Sequence, residues 1–448
     1  MMNPALETSV PMTPRVLLIA EGCNPNMTSV PLEGYSHCKA IKGLADGLVL
    51  THWRNRSDLT NAGWIEGKDF AIIDTEWAAR WVWKLATFLR GGNGSGWTTL
   101  AALSAPLNYL FEHYIWQQYG PHLAAGEFDL VHRVIPLSPT TPSLLAAKCR
   151  SIGVPFVIGP LNGGLPWPKG FDGVRRQERE WLSYVRDAYK LLPGYRSTPG
   201  CAAAILVASR ETLRQMPRDC RNRCFYIPEN AIDPDRFPQR PARPPREPGA
   251  PIRVVFVGRL VPYKGADMLI EAAAPLVKAG KIIVEIVGDG PQKPDLRGLI
   301  DRLGLSAGVT LAGWADHRQV RQHLADADLF GFPSIREFGG AVVLEAMALG
   351  VVPIVVDYGG PAELVTERTG FLLPLGSREQ IIARFRQTLT RLAEYPAEID
   401  AKRAPAERRA RELFTWSHKA RQVLKVYRWV LGQSEQKPEF EMPMRDVE

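Results

Sequence analysis

The C-terminal half of the chain alternates two kinds of apolar segment. Short β-branched runs, RVVFVGRL (253–260), KIIVEIVGDGP (281–291), VTLAGW (309–314), DADLFGFPS (326–334) and VVPIVV (351–356), read as buried strands. Between them, ADMLIEAAAPLVKAG (266–280), LRGLIDRLGL (296–305), HRQVRQHLADA (317–327) and AVVLEAMALG (341–350) repeat apolar residues at helical spacing, the last stopped by Gly350. Strands alternating with helices predict a doubly wound parallel sheet, whose ligand site lies beyond the strand C-terminal ends. Gly258, Arg259, Lys264, Gly290, Gly313 and Glu337 all fall at such ends.

The N-terminal half repeats the pattern less evenly. Strands are predicted in PRVLLIAEG (14–22), GLVLTH (47–52), KDFAIIDTE (68–76), EFDLVHRVIPLSP (127–139), the start of PFVIGPLNGGLPWPKGF (155–171), AAILVAS (203–209) and CFYIPENAID (224–233). Helices are predicted at 39–45, 97–119 and 143–153. WAARWVWKLATFLRGG (77–92) mixes tryptophan with Lys and Arg and has two readings: an interfacial membrane helix, or a helix packed on its own domain with its charged ends snorkelling. A Pro/Arg-rich stretch at 237–251 predicts the linker between two domains, 1–236 and 237–410. The amphipathic run ERRARELFTWSHKARQVLKVYRWVLG (407–432) predicts a long closing helix, and 433–448 a disordered tail. The fold class expected is α/β with two Rossmann-like doubly wound domains facing a cleft.

A chain of 448 residues is long enough for two such cores. The net charge of +8 favours anionic partners: sugar nucleotides, lipid phosphates or an anionic membrane surface. No motif of a nucleic-acid reader accompanies it, so nucleic acid is not an expected partner. The six cysteines lack zinc-like spacing and read as free thiols of a reducing cytoplasm. No apolar run approaches the roughly 18 residues of a membrane span.

Chemistry concentrates in SIREFGGAVVLEA (334–346). Gly339 and Gly340 open a helix, where free backbone N–H groups suit phosphate. Glu337 and Glu345, with seven residues between them, would repel phosphate and are expected to grip hydroxyl groups instead. In the N-terminal half the candidates are His132 near a strand end, Asn162 and Gly163 in the loop after 155–161, and Gly34 and His37 in the polar turn after the first strand. Trp167 between two prolines suits a rigid acceptor loop or sugar stacking.

VGRLVPYKGADMLIEA, IVGDGP, LAGW and EFGGAVVLEAMALGVVPIVVDYGGPAELV resemble family 4 of the retaining glycosyltransferases, strongly over about 250–375 and more loosely before 240. The resemblance implies the GT-B fold, with the C-terminal domain holding the nucleotide sugar and the closing helix, about 411–432, crossing back to the acceptor-side domain. It implies that Arg259 and Lys264 hold the donor diphosphate, Glu337 the donor sugar and Glu345 the ribose. His132 would then orient the donor sugar and acceptor, although the second histidine common in the family is Val134 here. Likewise Glu229-Asn230 stands where the family has Pro-Asn-Gly at the domain crossing. The activity implied is transfer of a hexose-type sugar from a UDP- or GDP-type donor to a sugar or lipid-linked acceptor in cell-envelope glycan synthesis. It would take place in the cytoplasm or at the inner membrane face, without metal or other cofactor. The alternatives are a non-catalytic sugar-nucleotide-binding subunit, or an epimerase or phosphorylase of the same fold.

Overall fold

The computed structural model describes residues 13–77, 97–177, 188–239, 247 and 249–440. Among these, β1 (Arg15–Ala20), β2 (Asp46–His52), β3 (Phe70–Ile73), β4 (Leu130–Ile135), β5 (Phe156–Leu161), β6 (Ala204–Val207) and β7 (Cys224–Tyr226) form one sheet, ordered β3-β2-β1-β4-β5-β6-β7. A second, ordered β10-β9-β8-β11-β12-β13, is built from β8 (Ile252–Val257), β9 (Ile282–Val287), β10 (Val309–Gly313), β11 (Leu329–Phe332), β12 (Val352–Val356) and β13 (Phe371–Leu373). Every strand pair is parallel. Every residue of β4, β5, β11 and β12 is buried, because helices cover both faces of a parallel sheet. That is why β5, β11 and β12 read as apolar runs rather than alternating ones, while β4 buries His132 and Arg133 within its run.

Each sheet reverses its strand order once, between β1 and β4 and between β8 and β11. Loops leaving the two strands at such a point diverge to opposite faces and leave a crevice at the carboxyl ends. The segments after β8 and β11 contain Lys264 and Glu337, so topology alone brings these distant residues together.

Two crossings join the domains. The Ile232 N–H donates to the Phe414 carbonyl at 2.7 Å and the Trp416 N–H to the Ile232 carbonyl at 3.3 Å, so the crossings run side by side. After the second crossing, the helix Trp416–Val430 packs on the helix Val30–Lys42 and buries Val423, Val426 and Tyr427 in the core of the first sheet. Residues 433–440, expected to belong to a disordered tail, continue onto the same core. Phe440 lies 6.2 Å from the Phe225 ring and Lys437 caps that ring at 4.9 Å, an aromatic anchor that a reading of local polarity missed. The 77–92 helix lies outside the described residues from 78 onward, as does most of the 237–251 linker. Among the described residues no helix is long and apolar enough to cross a membrane.

The cleft edges touch. Tyr358 donates its hydroxyl to the Pro166 carbonyl at 2.6 Å, and Tyr226 donates to Glu363 at 2.8 Å. Trp167 meets Tyr263 edge to face at 6.2 Å, and the Arg336 guanidinium covers the Trp167 ring at 4.8 Å. Trp167 is therefore a contact between the domains rather than an open stacking platform.

Candidate functional site

After β8 the chain turns through Gly258 and Arg259 into a short 3-10 turn, Pro262–Lys264. The Tyr263 carbonyl in that turn accepts from the Ile335 N–H at 2.9 Å and the Ser334 hydroxyl at 3.3 Å, which locks it to the segment leaving β11. Lys264 is thereby held with its ammonium against the Glu337 carboxylate, both side chains under one-fifth exposed. Phe332 lies beneath the same ammonium, 5.3 Å away. Burial first, then the neighbouring charge of Arg259, pushes the Lys264 pKa down to about 7. The Glu337 carboxylate opposes that push. An ammonium in this position requires an anion, and Glu337 supplies it.

Gly340 caps the helix Ala341–Ala348 in the left-handed region (φ 79°), and no side chain accepts from its first turn. The helix end, with its partial positive charge, follows three residues after Glu337, the partner of Lys264. Gly339 is needed for a different reason: the space a Cβ would fill is taken by the Asn230 amide and the Glu229 carboxylate of the first crossing. Glu345 sits within the helix, where burial raises its pKa to about 7 against the pull of Arg236. Gly290 lies in the turn after β9, and Gly313 is the last residue of β10. The Gly288 N–H donates to the Gly313 carbonyl at 2.7 Å, and the Gly258 and Leu260 N–H groups donate to the Val287 and Asp289 carbonyls at 3.0 and 2.9 Å, so the turn after β9 braces the Gly258 turn.

The N-terminal candidates divide. His132 is fully buried in the middle of β4, not at its open end. Its Nε2 meets the Gly159 carbonyl at 2.7 Å and so carries the proton; its Nδ1 accepts from the Tyr427 hydroxyl at 2.6 Å. Burial holds its pKa down, at about 4. With both nitrogens occupied, His132 does not contact the cleft; it ties the closing helix to the sheet. Tyr427→Phe, which strands a buried acceptor, is expected to cost about 1–3 kcal/mol, read as a lower urea midpoint. Gly34 also proves structural: a Cβ there would run into the Gly22 carbonyl, so its absence lets the Val30–Lys42 helix press on the loop after β1. Gly163 is clamped, its N–H donating to the Thr212 hydroxyl at 3.2 Å. His37 and Asn162 are buried; the Asn162 amide bonds to the Glu229 carboxyl, whereas His37 Nε2 has no hydrogen-bond partner among the described residues. Glu33, Glu229, Arg236 and Lys419, which approach the site from the first helix, the crossing and the closing helix, were not singled out in sequence as site residues. The sole signal was Glu229 at a place where the family has proline.

Residues 240–402 match the family of glycosyl transferases group 1. That stretch is a group 1 glycosyltransferase domain. A colanic acid biosynthesis glycosyltransferase assigned in Salmonella typhimurium is 28% identical over 67% of this chain and 68% of its own. The 2-deoxystreptamine glucosyltransferase of Streptomyces kanamyceticus is 28% identical over 63% of this chain and 73% of its own. Among solved structures, Anabaena Alr3699/HepE in complex with UDP superposes with a TM-score of 0.58 at 18% identity, covering 92% of this chain and 98% of that one. At that identity the likeness speaks for the fold: two parallel-sheet domains in the GT-B arrangement. In this glycosyltransferase the matched region holds the whole Lys264–Glu337 constellation, whereas His37, Asn162 and the closing helix lie outside it.

Proposed function

We propose that this glycosyltransferase moves a hexose-type sugar from a UDP- or GDP-type donor to an acceptor hydroxyl, with retention at the anomeric carbon. The observation that carries this reading is the buried Lys264 ammonium at the switch point, beside Arg259 and an uncapped helix N-terminus. The Glu337 carboxylate occupies the place where a diphosphate would go. When a diphosphate enters, Lys264 turns to it and Glu337 is released toward the donor sugar hydroxyls, while Glu345 takes the ribose. In the reaction the bond from the anomeric carbon to phosphate oxygen breaks, and the diphosphate leaves with the electron pair. The acceptor oxygen bonds on the same face and its proton passes to the departing phosphate. The growing charge on the phosphates is held by Lys264, Arg259 and the helix N–H groups. Those groups supply the positive charge a divalent ion would bring, so transfer is expected to continue in EDTA. The relative named for colanic acid biosynthesis favours an acceptor in cell-envelope glycan synthesis, reached from the cytoplasmic side or at the inner membrane face.

A panel of UDP- and GDP-sugars tested by thermal shift checks this reading. At about 100 times its dissociation constant the true donor adds roughly 2.7 kcal/mol of stability, and a chain that no sugar nucleotide stabilises is not a transferase of this kind.

The pH dependence of diphosphate binding has a definite sign. Lys264 titrates near pH 7 in the free protein and an added diphosphate raises its pKa. Its contribution is therefore full below about pH 7 and falls, by up to about tenfold per unit, as pH rises. Glu345 ionises near the same pH and acts oppositely, because only the carboxylate accepts from both ribose hydroxyls. Lys264→Arg keeps its charge at all pH values and should convert the fall into a rise, measured by calorimetry from pH 6 to 9.

A further inference from the structure

The segment after β12 supports Glu337 and also touches the other domain. From β12 the chain runs through Tyr358 and Gly359 into the short helix Gly360–Leu364. The start of that helix is pressed against the loop that carries Glu337. The Gly360 N–H donates to the Glu337 carbonyl at 3.0 Å. A Cβ on Gly359 would run into that same carbonyl, and one on Gly360 into the Phe338 carbonyl, so the Gly-Gly pair is what lets the two backbones come so close. On its other side Gly359 lies against the Leu165 side chain of the N-terminal domain.

Three residues past Gly360, the Glu363 carboxylate reaches across to that domain. It accepts the Tyr226 hydroxyl at 2.8 Å, and the Arg210 N–H lies 3.0 and 3.2 Å from its two oxygens. Arg210 opens the helix Arg210–Gln215, which is itself bound to the loop after β5. There the Gly163 N–H donates to the Thr212 hydroxyl at 3.2 Å, and Gln215 Nε2 donates to the Gly164 carbonyl at 2.8 Å. Tyr358 adds a second bridge to the same loop through the Pro166 carbonyl. Glu337 on one wall of the cleft and residues 163–166 on the other are thus joined through two short helices, with Glu363 as the link between them. Interfaces between domains are polar and by default leave the domains free to shift, so specific bonds to a carboxylate count for more here than within a core.

We propose that Glu363 is a positioning residue of the transfer reaction, and that its carboxylate holds the N-terminal wall of the cleft in register with Glu337. Transfer needs the reacting atoms about 3–3.5 Å apart, and a misplacement of about 1 Å costs on the order of 10²-fold in rate. With Glu337 on one domain and the facing wall on the other, that spacing depends on how the domains are set against each other. A carboxylate suits the task because its two oxygens accept from the Tyr226 hydroxyl and the Arg210 N–H at once, whereas an amide offers one acceptor oxygen. The inference rests on the reading of Glu337 as the residue at the donor sugar.

The test combines steady-state kinetics, calorimetric titration of UDP and small-angle X-ray scattering on the whole protein. Glu363→Ala is expected to lower kcat about tenfold or more while UDP affinity stays within about twofold, because the diphosphate partners all belong to the C-terminal domain. Its radius of gyration should rise as the walls part. Glu363→Gln, which keeps one acceptor oxygen, should recover part of both. Tyr226→Phe removes a single hydroxyl at nearly constant volume, which guards against a folding defect. It should lower kcat in the wild-type background and have no further effect in Glu363→Ala, since the two residues share one contact. A kcat or a radius of gyration in Glu363→Ala equal to that of wild type overturns the proposal, as does an equal effect of Tyr226→Phe in both backgrounds. UDP binding weakened about tenfold by Glu363→Ala also overturns it, because the residue would then support the donor domain alone. A wild type that transfers no sugar would count against the transfer reading instead, and the scattering comparison would still decide whether Glu363 holds the walls in register.

Discussion

Lys264→Ala is expected to lower kcat on the order of 10²–10³-fold, the loss found when one preorganised charge partner of a transition state is removed. The fold should survive, because the side chain projects from a short turn tied down by the Ile335 N–H and the Ser334 hydroxyl rather than by the ammonium itself. The variant also strands Glu337 without its cation. It also removes the Lys264 titration near pH 7, so diphosphate binding should no longer fall as pH rises through that range. Lys264→Arg should recover part of the rate, since the charge returns with a different reach. Steady-state kinetics with the donor found by thermal shift would decide. A wild-type rate in Lys264→Ala would remove the diphosphate from this position.

The two glutamates should separate kinetically. Glu345 is assigned to the ribose, which is unchanged through the reaction, so its contact is uniform binding. Glu345→Gln is therefore expected mainly to raise the donor KM, and to weaken the free nucleoside diphosphate comparably. Glu337 is assigned to the sugar, whose ring gains positive character as the phosphate departs. Glu337→Gln should lower kcat by about 10²-fold or more while donor KM changes little. Its effect on free diphosphate follows from the structure rather than from the sugar. The variant removes the anion that competes with diphosphate for Lys264, so diphosphate affinity should hold or improve. Weakened diphosphate binding in Glu337→Gln, with Glu345→Gln unaffected, would mean the assignments are reversed.

The donor half was readable because local order carried it. Strands covered on both faces leave continuous apolar runs, and the charged residues that follow each run fall at one edge of the sheet by topology alone. Lys264 and Glu337 needed only the switch point between β8 and β11 to meet. The acceptor half lacked that advantage. In sequence, His132 looked like a strand-end histidine; its partner Tyr427 lies 295 residues further on, and only the packed closing helix shows both of its nitrogens to be occupied. Gly34 looked like a ligand-facing glycine, but close approach of helix to loop accounts for it. Lys419 resembled one cation on the basic face of an amphipathic helix. Its meeting with the Pro228 and Asn230 carbonyls depends on two crossings and a helix that returns from the far end of the chain, which no local pattern encodes.

The central claim is that a diphosphate binds between Lys264 and the Gly340 helix end. Calorimetric titration of UDP and GDP into wild type and Lys264→Ala at pH 6.5, where the lysine is largely charged, tests it most directly. Saturable one-to-one binding of at least one of the two, weakened about tenfold or more by the substitution, is the predicted result, tenfold being the modest end for a charge-assisted bond. Binding of equal strength in both proteins, or of neither nucleotide to wild type, would contradict it.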